Sequence, residues 1–179
     1  KKNLKKNYLK KKKFKDIKIK VVDTGLNTMT GGRLKRLKKY LNNETFMLTY
    51  GDGLSNVNIK KLVNFHKKHK KIATLTAVRP PARFGAIRIN GNRIKYFKEK
   101  SKLDVGWING GFFVFDNKIF RFIKGDKTYL EKEPLQKIGK KGELYAYKHG
   151  GFWQCMDTMR EKKILNKLWK KKKAPWKRW

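Results

Sequence analysis

Apolar positions along this chain fall into short blocks with two alternating periods. Residues 17–23 alternate, with Ile17, Ile19 and Val21 on one face, and end in the turn signal Asp23-Thr24-Gly25. Leu34, Leu37, Tyr40 and Leu41 then follow helical spacing. Phe46-Met47-Leu48-Thr49-Tyr50 is a nearly continuous apolar run, the pattern of a strand covered on both faces, and Gly51-Asp52-Gly53 breaks it. A helix is expected over 57–71, with Ile59, Leu62, Val63 and His66 as its stripe, and a strand over 72–78 that ends before Pro80-Pro81. Residues 84–90 and 93–98 form a hairpin across Gly91-Asn92. A hairpin is antiparallel, so this one stands as an arm or flap beside the sheet. The strand 107–115 is interrupted by Asn109-Gly110-Gly111, which marks a bulge or a close backbone approach. A short helix over 116–123, a helix opened by Glu133-Pro134-Leu135 and a strand over 143–148 come next. A last helix runs to about residue 170 with Met159, Ile164, Leu165 and Leu168 inward, and an aromatic tail, 174–179, packs on the body or on a partner subunit. This alternation predicts an α/β fold with a mixed, mostly parallel sheet flanked by helices.

Composition narrows the class. The 179 residues suffice for one domain with a core, and 11 Phe, 7 Tyr and 5 Trp argue against disorder despite 35% charged residues. Residues 1–15 read as a basic lead-in with a run of four lysines at 10–13, and 16–179 as the domain. There is no apolar run of the roughly 18 residues a membrane span needs, and the lysine-rich start has no apolar block after it to make a signal peptide. Cys155 is the single cysteine, which excludes an internal disulfide and suits a reducing, cytoplasmic compartment. The formal charge of +36 invites a nucleic-acid reading, but it comes from 40 Lys and nine Arg spread along the chain. Phosphate and base forks favour Arg, so attraction to polyanions at low salt is expected and a specific nucleic-acid partner is not.

The candidate chemistry lies at element ends. Asp52, between glycines at the end of a strand, is placed to approach a phosphate-bound Mg²⁺, although Gly-Asp-Gly is also an ordinary turn and that is the commoner case. Residues 27–33 put two hydroxyls, Gly31-Gly32 and Arg33 before a helix, which makes an anion cradle or a simple bend with Thr30 as cap. His66 and His69 lie three apart without a third ligand nearby, so a partly buried His66 and an exposed His69 are the expectation rather than a metal site. Glu99-Lys100 pairs a hydroxyl acceptor with a phosphate donor. Asp157 is either the cap of the last helix or a second metal carboxylate, the cap being the commoner use.

In order, these stretches match a family. VDTGLNTMTGGRLKR (22–36), TYGDG (49–53), ATLTAVRPPARFGA (73–86), INGGFFVF (108–115), GFWQCMDTMR (151–160) and KAPWKRW (173–179) resemble the C-terminal two-thirds of the glucose-1-phosphate cytidylyltransferases, which are sugar-nucleotide pyrophosphorylases. The resemblance implies a Rossmann-like nucleotide-diphospho-sugar transferase fold. It implies a reaction in which CTP and α-D-glucose 1-phosphate give CDP-glucose and pyrophosphate, a supply step for surface polysaccharide. It further implies Mg²⁺ on Asp52 and Asp157, with Lys100 beside them in catalysis. Thr28, Arg33 and Gly51 would contact nucleotide or substrate, Glu99, Lys100 and Asn109 the sugar phosphate, and the subunits would form a homo-oligomer.

Two departures qualify what the resemblance implies. Ser101 follows Glu99-Lys100 where the family has Pro. The family's opening strand and Gly-rich loop, G-G-x-G-T-R, are absent from these residues, a gap longer than one βαβ unit. The expectation is a partial domain lacking its first strand and triphosphate loop, with impaired CTP binding. A related nucleotidyltransferase using another base or sugar, and a non-catalytic basic fragment that binds polyanions, stand as alternatives.

Overall fold

The computed structural model describes residues 18–81, 86–99 and 106–178. Helix α1 (Thr30–Leu37) continues as a 3-10 turn (Lys38–Tyr40). Strands β1 (Phe46–Thr49) and β2 (Gly53–Ser55) precede α2 (Ile59–His69). Then come β3 (Ala73–Val78), the pair β4 (Ala86–Asn90) and β5 (Arg93–Lys98), and β6 (Ile108–Phe115). A 3-10 turn (Asn117–Phe122), α3 (Glu133–Lys140), β7 (Leu144–His149), β8 (Trp153–Cys155) and α4 (Met159–Lys170) complete the order.

The main sheet has four strands in the order β1-β6-β3-β7. β6 is antiparallel to both neighbours and β7 is parallel to β3, so β1, β3 and β7 share one direction and only β6 opposes them. The sheet is mixed, as expected, but two of its three described pairings are antiparallel rather than mostly parallel, because β6 runs against both of its neighbours. β2 pairs with β8, and β4 with β5, as two separate ribbons. β3 is one of two interior strands, and its small and branched residues bury nearly completely on both faces. Phe113 and Phe115 of β6 stack at 5.3 Å, and Phe46 packs on Phe115 and Phe120, each at 5.7 Å. Ile119, Ile123 and Ile138 close this core from the 3-10 turn and α3. Each such side chain, once buried, contributes about 1.5–3 kcal/mol.

Local signals set the helix ends. Asn58 Oδ1 accepts the Lys61 N–H at 3.0 Å to start α2, and Lys70 ends it in the left-handed region at φ 55°. Pro134 occupies the first turn of α3.

Three further expectations change. Residues 18–25 form no strand. Val21 is 79% exposed and no described strand pairs with this segment; Asp23 Oδ1 instead accepts the Gly25 N–H at 2.8 Å in a turn. Residue 17 and the 1–15 lead-in lie outside the described residues. β1 is not covered on both faces: Phe46 and Leu48 turn toward the core, while Met47, on the opposite face, is 60% exposed. In α4, Met159 and Ile164 are exposed and Glu161 and Leu165 are the buried positions. Glu161 caps its own helix, which turns residues 161, 165 and 168 inward and leaves Met159 on the far side.

The two α2 histidines meet one hydroxyl. Thr74 Oγ1 lies 2.9 Å from His66 Nδ1 and 2.7 Å from His69 Nε2, while the Lys71 N–H donates to His69 Nδ1 at 3.0 Å. Proton order follows: His69 Nε2–H donates to Thr74, and the Thr74 hydroxyl donates to His66 Nδ1. Both rings are neutral, and burial pushes both imidazoles below their ordinary value, aided at His66 by the neighbouring His69. Folded histidines that resist protonation give stability that is full above the unfolded value of about 6.5 and lost as pH falls below it. The urea midpoint should therefore hold steady from about pH 8 to 7 and fall below about 6.5, with a shallower fall in His69→Gln. An equally acid-sensitive His69→Gln variant would contradict this assignment.

Candidate active site

The strand ends that share a direction put the chemistry on one edge of the sheet. Tyr50-Gly51-Asp52 follows β1, Arg79-Pro80 follows β3 and His149-Gly150-Gly151 closes β7, while the opposing β6 starts there with Ile108-Asn109-Gly110. Ligand sites of open α/β sheets form at this edge.

A bulge shapes it. Leu75 pairs with Phe113 and Ala77 with Asn109, so one residue of β3 faces three of β6. Gly111 sits at φ 75°, and Asn109 Oδ1 accepts its N–H at 2.9 Å. A Cβ on Gly111 would lie 2.7 Å from the Tyr50 ring, and one on Gly110 would lie 2.8 Å from Val78 Cγ1. The bulge backbone also bonds outward. Gly111 O accepts the Tyr50 N–H at 3.0 Å, and Gly110 O accepts the Trp153 indole N–H at 2.8 Å.

Tyr50 is held at both ends. Its hydroxyl donates to Glu131 Oε1 at 2.6 Å, and burial followed by the Glu131 carboxylate pushes the phenol well above its ordinary value. Thr30 Oγ1 donates to the other Glu131 oxygen at 2.7 Å, so one carboxylate ties the end of β1 to the start of α1.

The β2–β8 ribbon then joins the two aspartates. Gly53 pairs with Cys155 and the Met156 N–H donates to Asp52 O at 2.9 Å, which leaves Asp52 and Asp157 at the same end of adjacent strands. Both are exposed, and a Cβ on Gly51 would meet nothing within 4 Å. Asp157 is not the helix cap. Thr158 caps α4, and Glu161 Oε2 accepts the N–H groups of Asp157 and Thr158 at 2.9 and 3.0 Å. The T-x-x-E spacing of this capping box was legible in the sequence.

Cys155 Sγ and carboxylate oxygens of Asp157 and Glu161 lie within 4.8 Å of one another. Burial, followed by the neighbouring carboxylates, pushes the Cys155 thiol up to about 11, so it stays protonated at neutral pH and is a poor ligand. Glu161 already serves the helix end. Of this cluster Asp157 remains, with Asp52 on the facing arm of the ribbon, and exposed carboxylate oxygens suit a hard, oxygen-seeking cation.

The expected anion cradle is filled by the chain itself. The N–H groups of Gly31 and Gly32 donate to Thr128 O at 2.9 and 3.2 Å, and the Met29 N–H donates to Asp126 O at 2.8 Å. The glycines are needed for this approach, since Cβ atoms there would lie 2.8 Å from Thr128 O and 2.6 Å from Asp126. Met29, not Thr30, takes the N-cap position. Thr28 is buried at this junction, and the Arg33 guanidinium donates to Thr24 Oγ1 at 2.7 Å and Leu26 O at 3.1 Å. Asn109 serves the bulge and Tyr50, with Nδ2 3.4 Å from Tyr50 Oη. Glu99 stands exposed after the solvent-exposed β5 strand, and Lys100 lies outside the described residues. Glu131 carried no sequence signal, and Trp153, though inside the quoted block 151–160, has no spacing that names its distant partner Gly110.

Comparison with known proteins gives the family and the fold. The family model for nucleotidyl transferases matches residues 1–158. The glucose-1-phosphate cytidylyltransferase of Salmonella typhimurium is 51% identical over 162 residues, which cover 90% of this chain and 63% of that protein, so the chain spans just under two thirds of its relative. Among solved structures, a UDP-glucose pyrophosphorylase in complex with UDP-glucose superposes with a TM-score of 0.66 at 16% identity, covering 95% of this chain and 73% of the other. HddC from Yersinia pseudotuberculosis superposes with a TM-score of 0.66 at 20% identity, covering 90% and 72%. These structures share the fold. No described helix is long and apolar enough to cross a membrane.

The glycines of the site should behave oppositely. Gly111→Ala combines a left-handed backbone with a clash on Tyr50 and should destabilise the chain by about 2 kcal/mol or more. Gly51→Ala enters open space and should cost less than about 0.5 kcal/mol. Urea unfolding measures both, and equal costs would mean the bulge is not the constraint described.

Proposed function

Because this chain belongs to the nucleotidyl transferase family, we propose that it carries the acceptor-side and metal-binding part of a glucose-1-phosphate cytidylyltransferase. The observation that carries this reading is the β2–β8 pairing, which brings Asp52 and Asp157 together at the carboxyl edge of the sheet, in a chain 51% identical to such an enzyme. In the reaction a phosphate oxygen of α-D-glucose 1-phosphate attacks the α-phosphorus of CTP. The new P–O bond forms as the bond to the β-phosphate oxygen breaks, and pyrophosphate leaves with that electron pair. Chemistry of this kind is mostly positioning and neutralisation of charge, so no covalent nucleophile is required.

Asp52 and Asp157 would hold Mg²⁺, which when bound neutralises charge on the phosphate oxygens. Gly51 leaves the space beside Asp52 open to the nucleotide. Asn109, Glu99 and Lys100 are assigned to the sugar phosphate, Asn109 from the bulge and the other two from the exit of the β4–β5 hairpin. Lys100 supplies positive charge for the attacking phosphate in this scheme. Thr28 and Arg33 act on nucleotide or substrate only indirectly, by fixing the loop and α1 that anchor Glu131. This departs from a direct contact, because the Arg33 fork is engaged within the chain. The lysine excess adds a favourable field for a triphosphate.

The test is pyrophosphate release from CTP and glucose 1-phosphate with Mg²⁺. It is run on the chain alone and on a version carrying the family's Gly-rich segment at its N-terminus. Release is expected to favour CTP over ATP, GTP and UTP, and Asp52→Ala or Asp157→Ala should lower turnover by about a thousandfold, the loss typical of removing a main charge-stabilising group. Release with a different nucleotide only would move the assignment to a related transferase. Binding of heparin or RNA that Asp52→Ala leaves unchanged, with no turnover under any condition, would support a polyanion-binding module instead.

A further inference from the structure

The β2–β8 ribbon that carries both aspartates has only three residues in each strand. A two-stranded ribbon of this size is not stable by itself, so its geometry must be imposed from outside. One support is the Trp153–Gly110 bond to the bulge. The other support lies at the opposite end of the ribbon.

Phe152, the residue before β8, gathers that end. Its carbonyl accepts the Asn56 N–H at 3.1 Å, the Ser55 hydroxyl at 2.9 Å and His149 Nε2–H at 3.2 Å. A carbonyl only accepts, so His149 carries its proton on Nε2. The turn is packed tight: a Cβ on Gly151 would lie 2.5 Å from Asn56 Oδ1 and 2.7 Å from the His149 ring.

The C-terminal tail covers this knot. The Trp176 ring packs on the Phe152 ring at 5.5 Å, and Arg178 Nη1 donates to Asn56 O at 3.3 Å. The tail thus touches the residue before β8 and the residue after β2. Its path is built into α4. Lys172, at φ 55°, donates its N–H to Trp169 O and the Lys173 N–H reaches Leu168 O, each at 3.0 Å, which is a Schellman ending. A further turn closes with the Lys177 N–H on Ala174 O at 3.1 Å, and Lys177 Nζ sits 5.4 Å from the centre of the Trp169 ring. The cap of α4, Thr158, follows Asp157 directly, so ribbon, helix and tail form a closed brace.

We propose that the C-terminal tail is a latch that sets the spacing of Asp52 and Asp157, with Trp176 as its positioning residue. The inference rests on the reading of those two aspartates as the metal carboxylates. Trp176 touches neither of them and acts through Phe152 and the ribbon. Carboxylates that must converge on one small cation tolerate little looseness, which is why a remote aromatic contact governs the site.

The experiment uses the full chain, Trp176→Ala and Trp176→Phe, with two readouts. Hydrogen exchange is followed in peptides covering the Asn56 and Met156 amides, and Mn²⁺ affinity is measured by electron paramagnetic resonance. Trp176→Ala should speed exchange of those two amides by about tenfold or more while the β3 amides keep their rates, as local opening requires. It should weaken Mn²⁺ binding by a similar factor, about tenfold, and Trp176→Phe should restore both. Unchanged ribbon amides in Trp176→Ala would overturn the latch. So would equal acceleration in β3, which would make Trp176 a general stability residue, or looser amides with undiminished Mn²⁺ affinity. A wild-type chain that binds no Mn²⁺ would count against the carboxylate reading, and the latch as a device for that site would fall with it even if the amides loosen. Asp52→Asn separates the cases, since it should abolish Mn²⁺ binding with the amides still protected.

Discussion

The bulge at Asn109-Gly110-Gly111 is the constraint on which the site depends. It sits in the strand that bridges β1 and β3, and its two peptide groups face different clients. Gly111 gives Tyr50 both a recess for its ring and a carbonyl for its N–H. Gly110 gives its carbonyl to Trp153. Tyr50 leads directly to Asp52, and Trp153 leads through β8 to Asp157. Two carboxylates more than a hundred residues apart in sequence are thus referred to one irregularity in one strand. A regular β6 would bring neither arm to this edge, because side chains would fill the recess and the carbonyl of Gly110 would stay within the ladder.

Burial of polar groups explains the surroundings. The free N–H groups at the start of α1 are the kind of feature that binds phosphate in other proteins. Here the carbonyls of Asp126 and Thr128 take them, and Glu131, three residues on, reaches Thr30 and Tyr50 with its two oxygens. The helix terminus works as a clamp for the loop that supplies Glu131. The Arg36–Asp126 pair, 2.6 Å apart, closes the same loop from outside, but both partners are about half exposed and its share of the stability is small.

Electrostatics adds a contrast of scale. The chain bears a formal +36, yet the residues it gathers at the carboxyl edge of the sheet include two exposed aspartates. A small acidic spot in a broadly positive field attracts both a divalent cation at short range and a polyanion at long range. A nucleotide triphosphate with its metal has this charge pattern, and a bare nucleic acid does not. The distribution of lysine therefore does not compete with a transferase function.

The sequence by itself determined the sheet-and-helix alternation, because strand and helix periods are local properties. The β4–β5 hairpin, α2, the Pro-led α3 and the glycine interruption of β6 were all legible from spacing and turn residues. So were the break that Gly51-Asp52-Gly53 makes after β1 and the T-x-x-E box that relieves Asp157 of capping. Tertiary structure alone decided what was paired with what. It made β1 a half-exposed strand rather than a covered one, left 18–25 without a strand partner among the described residues, turned Met159 and Ile164 outward and filled the Gly31-Gly32 cradle with a distant loop. It also recruited Glu131, a residue with no local signature, and gave Trp153 its distant partner. For the long-range links the reason is shared: a hydrogen bond between residues 43 to 101 positions apart is specified by where the chain returns to, and no short window of sequence contains both ends.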